Sequence, residues 1–265
     1  GTVKFLLRLE DGESIETVFI PEGDRRTICV STQVGCPLGC VFCASGQIDF
    51  KRNLLAWEIV DQILRIKSCL RMGVTNIVFM GIGEPMLNLT EVFKAILLIN
   101  SDYALNIGAR HITVSTAGII EGIRAMAKGP SRVKLAISLN ATTNVVRNML
   151  MPVNRKYPLE DLLEAVRFYG KTRQIRTTFE YVLIAGVNDR RADARRLVKI
   201  LKGIPSKINI IPLNEIAGLA FKKPPGEKVL AFIDAMKDNP IPITLRKSKG
   251  IEIMAGCGQL RAIYG

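Results

Sequence analysis

The feature that most limits what this chain can fold into is an alternation, in which short β-branched apolar runs are each followed by a longer amphipathic stretch. The runs lie at residues 27–31, 76–80, 111–115, 133–139, 177–184, 207–211 and 243–247, and the helical patterns at 56–72, 89–99, 120–128, 159–172, 190–201 and 226–239. A run as continuously apolar as Ile77-Val78-Phe79-Met80 suits a strand buried on both faces, as in a parallel sheet covered by helices. Right-handed crossovers wind such units in one direction. The expected fold is α/β, a full or partial (β/α) barrel of about six βα units. Two further strand-like runs, 3–9 and 14–20, flank the turn signal Asp11-Gly12 and predict a small N-terminal β-hairpin extension. Residues 1–25 are assigned to that hairpin and 26–265 to the barrel; 265 residues suit one large domain better than two small ones.

Barrel sites collect where strands end, and that is where this chain places its chemistry. Cys36 follows the 27–31 run, Gly83-Glu84-Pro85 the 76–80 run, and Ser115 closes the next. Ser138-Leu139-Asn140 and Asn214 stand at or just past the ends of two later runs. Cys36, Cys40 and Cys43 form a C-x3-C-x2-C array. Thiolates are soft ligands that select zinc or iron–sulfur clusters. A zinc knot completed by Cys29 is one reading, but a closed zinc site wants a fourth ligand at hand, and the only histidine, His111, is remote. Three close cysteines suit a cluster with one iron left open for a reactive ligand. Four of the six cysteines fall within 29–43, which in a chain without a secretion signal reads as metal or redox chemistry in a reducing, cytoplasmic compartment. No apolar run approaches the roughly 20 residues of a membrane span, so no membrane partner is expected. The excess of 37 basic over 24 acidic residues, +13, favours a polyanion such as nucleic acid.

Cys257 lies between Gly256 and Gly258, where little packing surrounds it; that suits a reactive thiol better than a core filler. Cys69, beside Ile66 and Leu70, reads as a small core residue, and Trp57 as packing. Arg25, Arg26, Lys51, Arg52, Arg155, Lys156, Arg246, Lys247 and Lys249 fall on predicted loops or strand ends, where they could ring an RNA-sized mouth and neutralise phosphates.

The cysteine spacing, with Phe42 before its last member, resembles that of the radical S-adenosylmethionine superfamily, and Gly83-Glu84-Pro85 resembles its Gly-Glu-Pro element. Longer segments narrow this. Ile28 to Cys36, Phe79 to Asn88, Met151 to Tyr157 and Gly256-Cys257-Gly258-Gln259-Leu260 resemble the bacterial dual-specificity RNA adenine-C2 methyltransferases, from about Glu16 to Leu260. The resemblance implies a 4Fe-4S cluster on Cys36, Cys40 and Cys43, and two molecules of S-adenosylmethionine per turnover. Gly83, Glu84, Ser115, Ser138, Leu139, Asn140 and Asn214 would contact that cofactor. Cys257 would accept a methyl group from the first molecule. The second would yield a 5′-deoxyadenosyl radical that takes hydrogen from this S-methyl group, and the carbon radical would add to C2 of an adenosine in 23S rRNA, and in tRNA. Cys29 would resolve the protein–RNA thioether by a disulfide with Cys257, and Glu16 would be the proton acceptor. Without the resemblance, Glu16 reads as an outward charge on an alternating strand. Implied partners are RNA and an electron donor such as flavodoxin or ferredoxin, with the chain a monomer.

Two departures stand out. Asn140 replaces the family's usual histidine and cannot titrate near neutrality, and the family's N-terminal helical RNA-binding domain has no counterpart here. The alternatives are the related C8 adenine methyltransferases, which replace the proline at Pro85 with alanine, a radical enzyme acting on a small molecule, and a non-catalytic metal-binding module that contacts RNA.

Overall fold

The computed structural model describes residues 1–129, 132–246 and 248–262. The chain opens with β1 (Val3–Arg8), β2 (Ser14–Glu22) and β3 (Arg25–Val30), then a short ribbon of β4 (Gln33–Val34) with β5 (Arg52–Asn53). Helix and strand then alternate: α1 (Ala56–Leu70), β6 (Asn76–Phe79), α2 (Leu89–Asn100), β7 (Ile112–Thr116), α3 (Ile120–Lys128) and β8 (Lys134–Ser138). The second half adds α4 (Asn144–Leu150), α5 (Leu159–Arg173), β9 (Thr177–Leu183), α6 (Arg191–Leu201), β10 (Ser206–Pro212), α7 (Gly226–Asp234) and β11 (Ile243–Leu245).

One sheet runs β1-β2-β3-β6-β7-β8-β9-β10-β11. It is antiparallel across β1, β2 and β3 and parallel from β3 onward. β1 and β11 are its edges, so the barrel is partial. The N-terminal hairpin forms as expected and also joins the wall, because β2 pairs with β3 from Val18↔Cys29 to Glu22↔Arg25. Five consecutive buried residues in β2 show why: a strand covered on both faces cannot be an outlying flap.

Strand parity organises everything else. Ile28, Val30, Ile77, Ile137 and Phe179 face the helices in one large core. Their alternating neighbours Cys29, Val78, Ser138 and Glu180 point the other way and line a single cavity. Helix α4 went unread in the sequence, since seven residues are too few for a 3.6-residue period to declare itself. α7 ends at Asp234, short of the expected 239, and passes into turns ahead of Pro240. Lys247, expected to end the last strand, lies outside the described residues.

Two packing expectations fail. Cys69 is exposed, because α1 buries Ile59, Ile63 and Ile66 along a seam that continues to Leu70, and position 69 sits one helical step, about 100°, off it. Trp57 is 45% exposed for the same reason, lying between the buried positions Ala56 and Glu58 but off the seam.

α1 also sets the start of the cysteine loop. Gln62, 1% exposed, accepts from the Ser31 N–H at 2.8 Å and the Thr17 hydroxyl at 2.7 Å, and donates to the Ser31 carbonyl at 2.9 Å. A Gln62→Leu variant would strand three buried polar groups. We expect a loss of about 3 kcal/mol, since each unsatisfied group costs on the order of 1–3 kcal/mol, read as a lower denaturant midpoint at unchanged slope.

Candidate active site

The cavity, of about 190 Å³, takes its lining from Cys29, Cys36, Cys40, Cys43, Gly83, Glu84, Ser115, Ser138, Asn140 and Cys257, residues the sequence had marked from Cys29 to Cys257. Glu16, Leu139 and Asn214 do not line it.

The cysteine loop leaves the β4–β5 ribbon after Gly35, whose φ of +73° and close approach to the Asp49 carbonyl admit no side chain. The Cys36 sulfur accepts from the N–H groups of Leu38 and Gly83, and Cys43 from those of Gly46 and Ser45 and from the Ser45 hydroxyl. Burial pushes the Cys36 thiol up to about 12 and lifts Cys40 and Cys43 above the ordinary thiol range. Charge on Cys43 raises Cys36 and Cys40 further, and charge on Cys36 raises Cys40. These thiols stay neutral until a metal displaces their protons. Among the described residues no three His, Cys, Asp or Glu converge closely enough to hold one metal ion. Thiols that share a cavity without meeting at a point do not suit zinc, whose ligands all lie about 2 Å from one centre. They fit a multi-iron cluster, in which thiolates ligate different irons.

Glu84 begins a 3-10 turn, Pro85–Asn88. Its carboxylate accepts from the Ala117 N–H at 2.7 Å and the Met86 N–H at 3.0 Å, while its own N–H donates to Gln33 Oε1 at 2.8 Å. Burial nevertheless lifts the carboxyl to about 7, which leaves it ready to gain a cationic partner. Asn140 has φ +57°, a left-handed conformation that asparagine tolerates better than most residues. Its Oδ1 accepts from the Val182 N–H at 2.9 Å, so this position holds β9 to the end of β8. Leu139 is fully buried in the helix-facing core, leaving only its backbone near the site.

The C-terminal segment closes over the cysteine loop. Ala44 N–H donates to the Gly258 carbonyl at 2.7 Å, and the Ser45 hydroxyl to the Leu260 carbonyl at 2.7 Å. Asn214 donates to the Cys257 carbonyl at 3.0 Å, so its amide holds the Cys257 loop. Glu16 is 4% exposed and therefore not the outward charge its strand position suggests. Its carboxylate pairs with Lys4 at 2.7 Å and accepts from the Arg261 N–H at 2.8 Å. Cys257 itself is exposed, whereas Cys29 is buried and pushed up to about 12 by that burial. All six cysteines are free, so the disulfide expected between Cys29 and Cys257 is not formed in this structure.

Together these elements bring Cys257, Cys29 and the three cysteines of the Cys36–Cys43 loop around one cavity. The radical SAM family model matches residues 30–198. A probable dual-specificity RNA methyltransferase RlmN from Dictyoglomus turgidum is 46% identical over all of this chain and 77% of its own length. A dual-specificity RNA methyltransferase RlmN from Syntrophobacter fumaroxidans is 49% identical over all of this chain and 78% of its own. The chain belongs to the radical SAM dual-specificity RNA methyltransferases. A crystal structure of a radical SAM methyltransferase from Sphaerobacter thermophilus, 43% identical, superposes with a TM-score of 0.96 over 99% of this chain and 78% of that one. Membership implies a 4Fe-4S cluster, S-adenosylmethionine and an RNA substrate. No helix among the described residues is long and apolar enough to cross a membrane.

Two residues at or behind this methyltransferase's site escaped sequence reasoning. Glu180 lines the cavity and keeps one buried carboxylate oxygen without a hydrogen bond while Asn209 donates to the other at 2.9 Å. Strand charges normally point to solvent, so only parity with Ser138 could have flagged it. Arg147, on the short α4, is fully buried behind the lining. Arg246, expected in the basic ring, lines the cavity itself. The expected basic ring is also revised. Arg25 and Arg26 begin β3 at the end opposite the cysteine loop, and Arg52 is held by Asp11 and Glu58 at 2.6 and 2.8 Å. Lys249 lies 3.7 Å from Glu22, and Lys247 lies outside the described residues.

The raised Glu84 carboxyl gives a sign-determined prediction. The native state keeps this proton above the pH at which the unfolded chain releases it, so stability falls as pH rises from about 4.5 to about 7. The contribution is about 3 kcal/mol. Chemical denaturation of the apoprotein across that range should show the decline, and Glu84→Gln should flatten it.

Proposed function

We propose that this chain methylates C2 of an adenosine in 23S rRNA, and in tRNA, through an S-methylcysteine on Cys257. The observation that carries this reading is that Cys257 and Cys29, far apart in sequence, line the same cavity as Cys36, Cys40 and Cys43. A cluster enzyme that acted directly on its substrate would need neither outlying thiol.

C2 of adenine is electron-poor and bears no acidic proton, so ordinary attack on a methyl sulfonium is closed to it. The Cys257 thiolate can make that attack itself. Its sulfur takes the methyl of one S-adenosylmethionine, the carbon–sulfonium bond breaks, and S-adenosylhomocysteine leaves. Cys36, Cys40 and Cys43 hold the cluster, and Glu84, Gly83, Ser115, Ser138 and Asn140 offer polar edges to a second molecule of the same cofactor. When bound, the 4Fe-4S cluster supplies the single electron that cleaves S-adenosylmethionine reductively. One hydrogen atom of the Cys257 methyl would pass to the 5′-deoxyadenosyl fragment of that second molecule, which leaves as 5′-deoxyadenosine, and the methylene carbon would bond to C2, with the base turned out of its stack to reach the cavity. Glu16 is the proton acceptor in this scheme, and would take the C2 proton after release from Lys4 or Arg261. Cys29 then attacks the Cys257 sulfur. The S–S bond would form as the carbon–sulfur bond to RNA breaks, the released methylene would take up a proton to become the methyl group, the one electron spent at the start would be given back, and the disulfide would later be reduced by an external thiol. A flavodoxin- or ferredoxin-type donor, a cytoplasmic setting and a monomeric enzyme complete the reading. The +13 charge serves phosphate contacts.

Anaerobic reconstitution with dithionite, isotopically labelled S-adenosylmethionine and an RNA fragment, followed by mass spectrometry, tests it. Label should reach Cys257 first and C2 of adenosine second. Cys257→Ala should lose RNA methylation to background, and Cys29→Ala should accumulate a covalent protein–RNA adduct. Label at C8, or methylated RNA from the Cys257→Ala protein, would refute the reading.

A further inference from the structure

Arg147 is 0% exposed, and all of its acceptors are neutral. Nε donates to the Leu139 carbonyl at 3.1 Å, Nη1 to Asn154 Oδ1 at 2.9 Å, and Nη2 to the carbonyls of Ala117 and of Ser138, the latter at 3.3 Å. A buried guanidinium without an anion is expensive in an apolar interior. Hydrogen bonds to carbonyls satisfy its protons but leave its charge uncompensated.

The anion that would compensate it lies across the cavity wall. Ala117, Ser138 and Met151, which follow or contact Arg147, line the cavity together with Cys40. The end of α4 is bonded to the cysteine loop, with Val41 N–H donating to the Leu150 carbonyl at 3.1 Å. Cys40 packs in the same cluster as Leu150 and Met151. Burial brings the Arg147 guanidinium down to about 10, and the one charge opposing that fall is on Cys40.

We propose that Arg147 is the built-in counter-charge of the iron–sulfur cluster, a buried cation that raises the potential at which the cluster accepts its electron. A cluster held by three thiolates carries net negative charge and gains more on reduction, so a fixed cation behind Cys40 stabilises the reduced form over the oxidised one. Solvent is kept from Arg147, so the effect is little screened by salt. The inference rests on the cluster alone and not on which RNA atom is methylated; a failed methylation assay would leave it standing.

The reconstituted holoenzyme, without S-adenosylmethionine, is poised at a series of potentials and its reduced cluster measured by electron paramagnetic resonance. Arg147→Gln should shift the midpoint to a more negative value, and Arg147→Lys, which keeps the charge, should stay near the unsubstituted protein. Asn154→Asp gives a second route if Arg147→Gln fails to fold, because it sets a carboxylate against Nη1 while leaving the guanidinium in place. It too should move the midpoint negative. An unchanged midpoint in a folded, iron-replete Arg147→Gln or Asn154→Asp protein would overturn the proposal, as would an Arg147→Lys shift as large as that of Arg147→Gln.

Discussion

The two-residue period of the parallel strands is the constraint on which the rest of this molecule depends. In β6, Ile77 goes to the helices while Val78 lines the cavity; in β8, Ile137 goes out while Ser138 lines the cavity. A slip of one residue in any strand would put apolar groups in the site and polar ones in the core. Register is held by apolar burial, and the position of each reactive group is a consequence of that register. Cys29 faces the cavity because Ile28 and Val30 cannot.

An interior formed this way buries its polar groups, and burial decides the electrostatics. Neutral thiols at Cys36, Cys40 and Cys43, a protonatable Glu84 and a Glu180 lifted by the same burial all express one cost, that of holding charge away from water. The cysteine loop and Glu84 are thus poised to change state when a charged partner arrives. Arg147 and Arg246 are the buried or half-buried cations available nearby. Arg246 is held up first by charge on Cys257, with Glu180 and Cys29 adding to it.

What the sequence disclosed was local. The Cys36–Cys43 spacing, Gly83-Glu84-Pro85 and the polar residues closing β7 and β8 each occupy a few consecutive positions, and the structure gathers most of them around one cavity. What it concealed was set by partners far along the chain. Glu16 reads as a solvent-facing charge until Lys4 and the Arg261 N–H are seen to enclose it. Asn214, assigned to the cofactor by resemblance, also donates to the Cys257 carbonyl, a contact no local pattern announces. Arg147 sits on too short a helix for periodicity to expose it, and nothing in its neighbourhood announces a core position. Cys69 shows the converse error, since apolar neighbours at Ile66 and Leu70 do not fix which side of α1 it takes.

The C-terminal loop joins these two kinds of information. Its glycines mark a tight backbone, and the structure gives the reason at Gly256, where a Cβ would meet Asn214 Nδ2 at 2.8 Å and Gln259 Oε1 at 2.7 Å. Held through its backbone by Asn214, Ala44 and Ser45, the loop leaves the Cys257 side chain exposed and unpacked. In the proposed reaction the Cys257 thiol would meet a cofactor, then an RNA base, then another thiol, and side-chain packing would oppose that, because each encounter would need the sulfur in a different direction. Fixing the main chain and freeing the side chain meets that demand. It also ties the Cys257 loop to the Cys36–Cys43 loop through the Ala44 N–H bond to Gly258 and the Ser45 hydroxyl bond to Leu260.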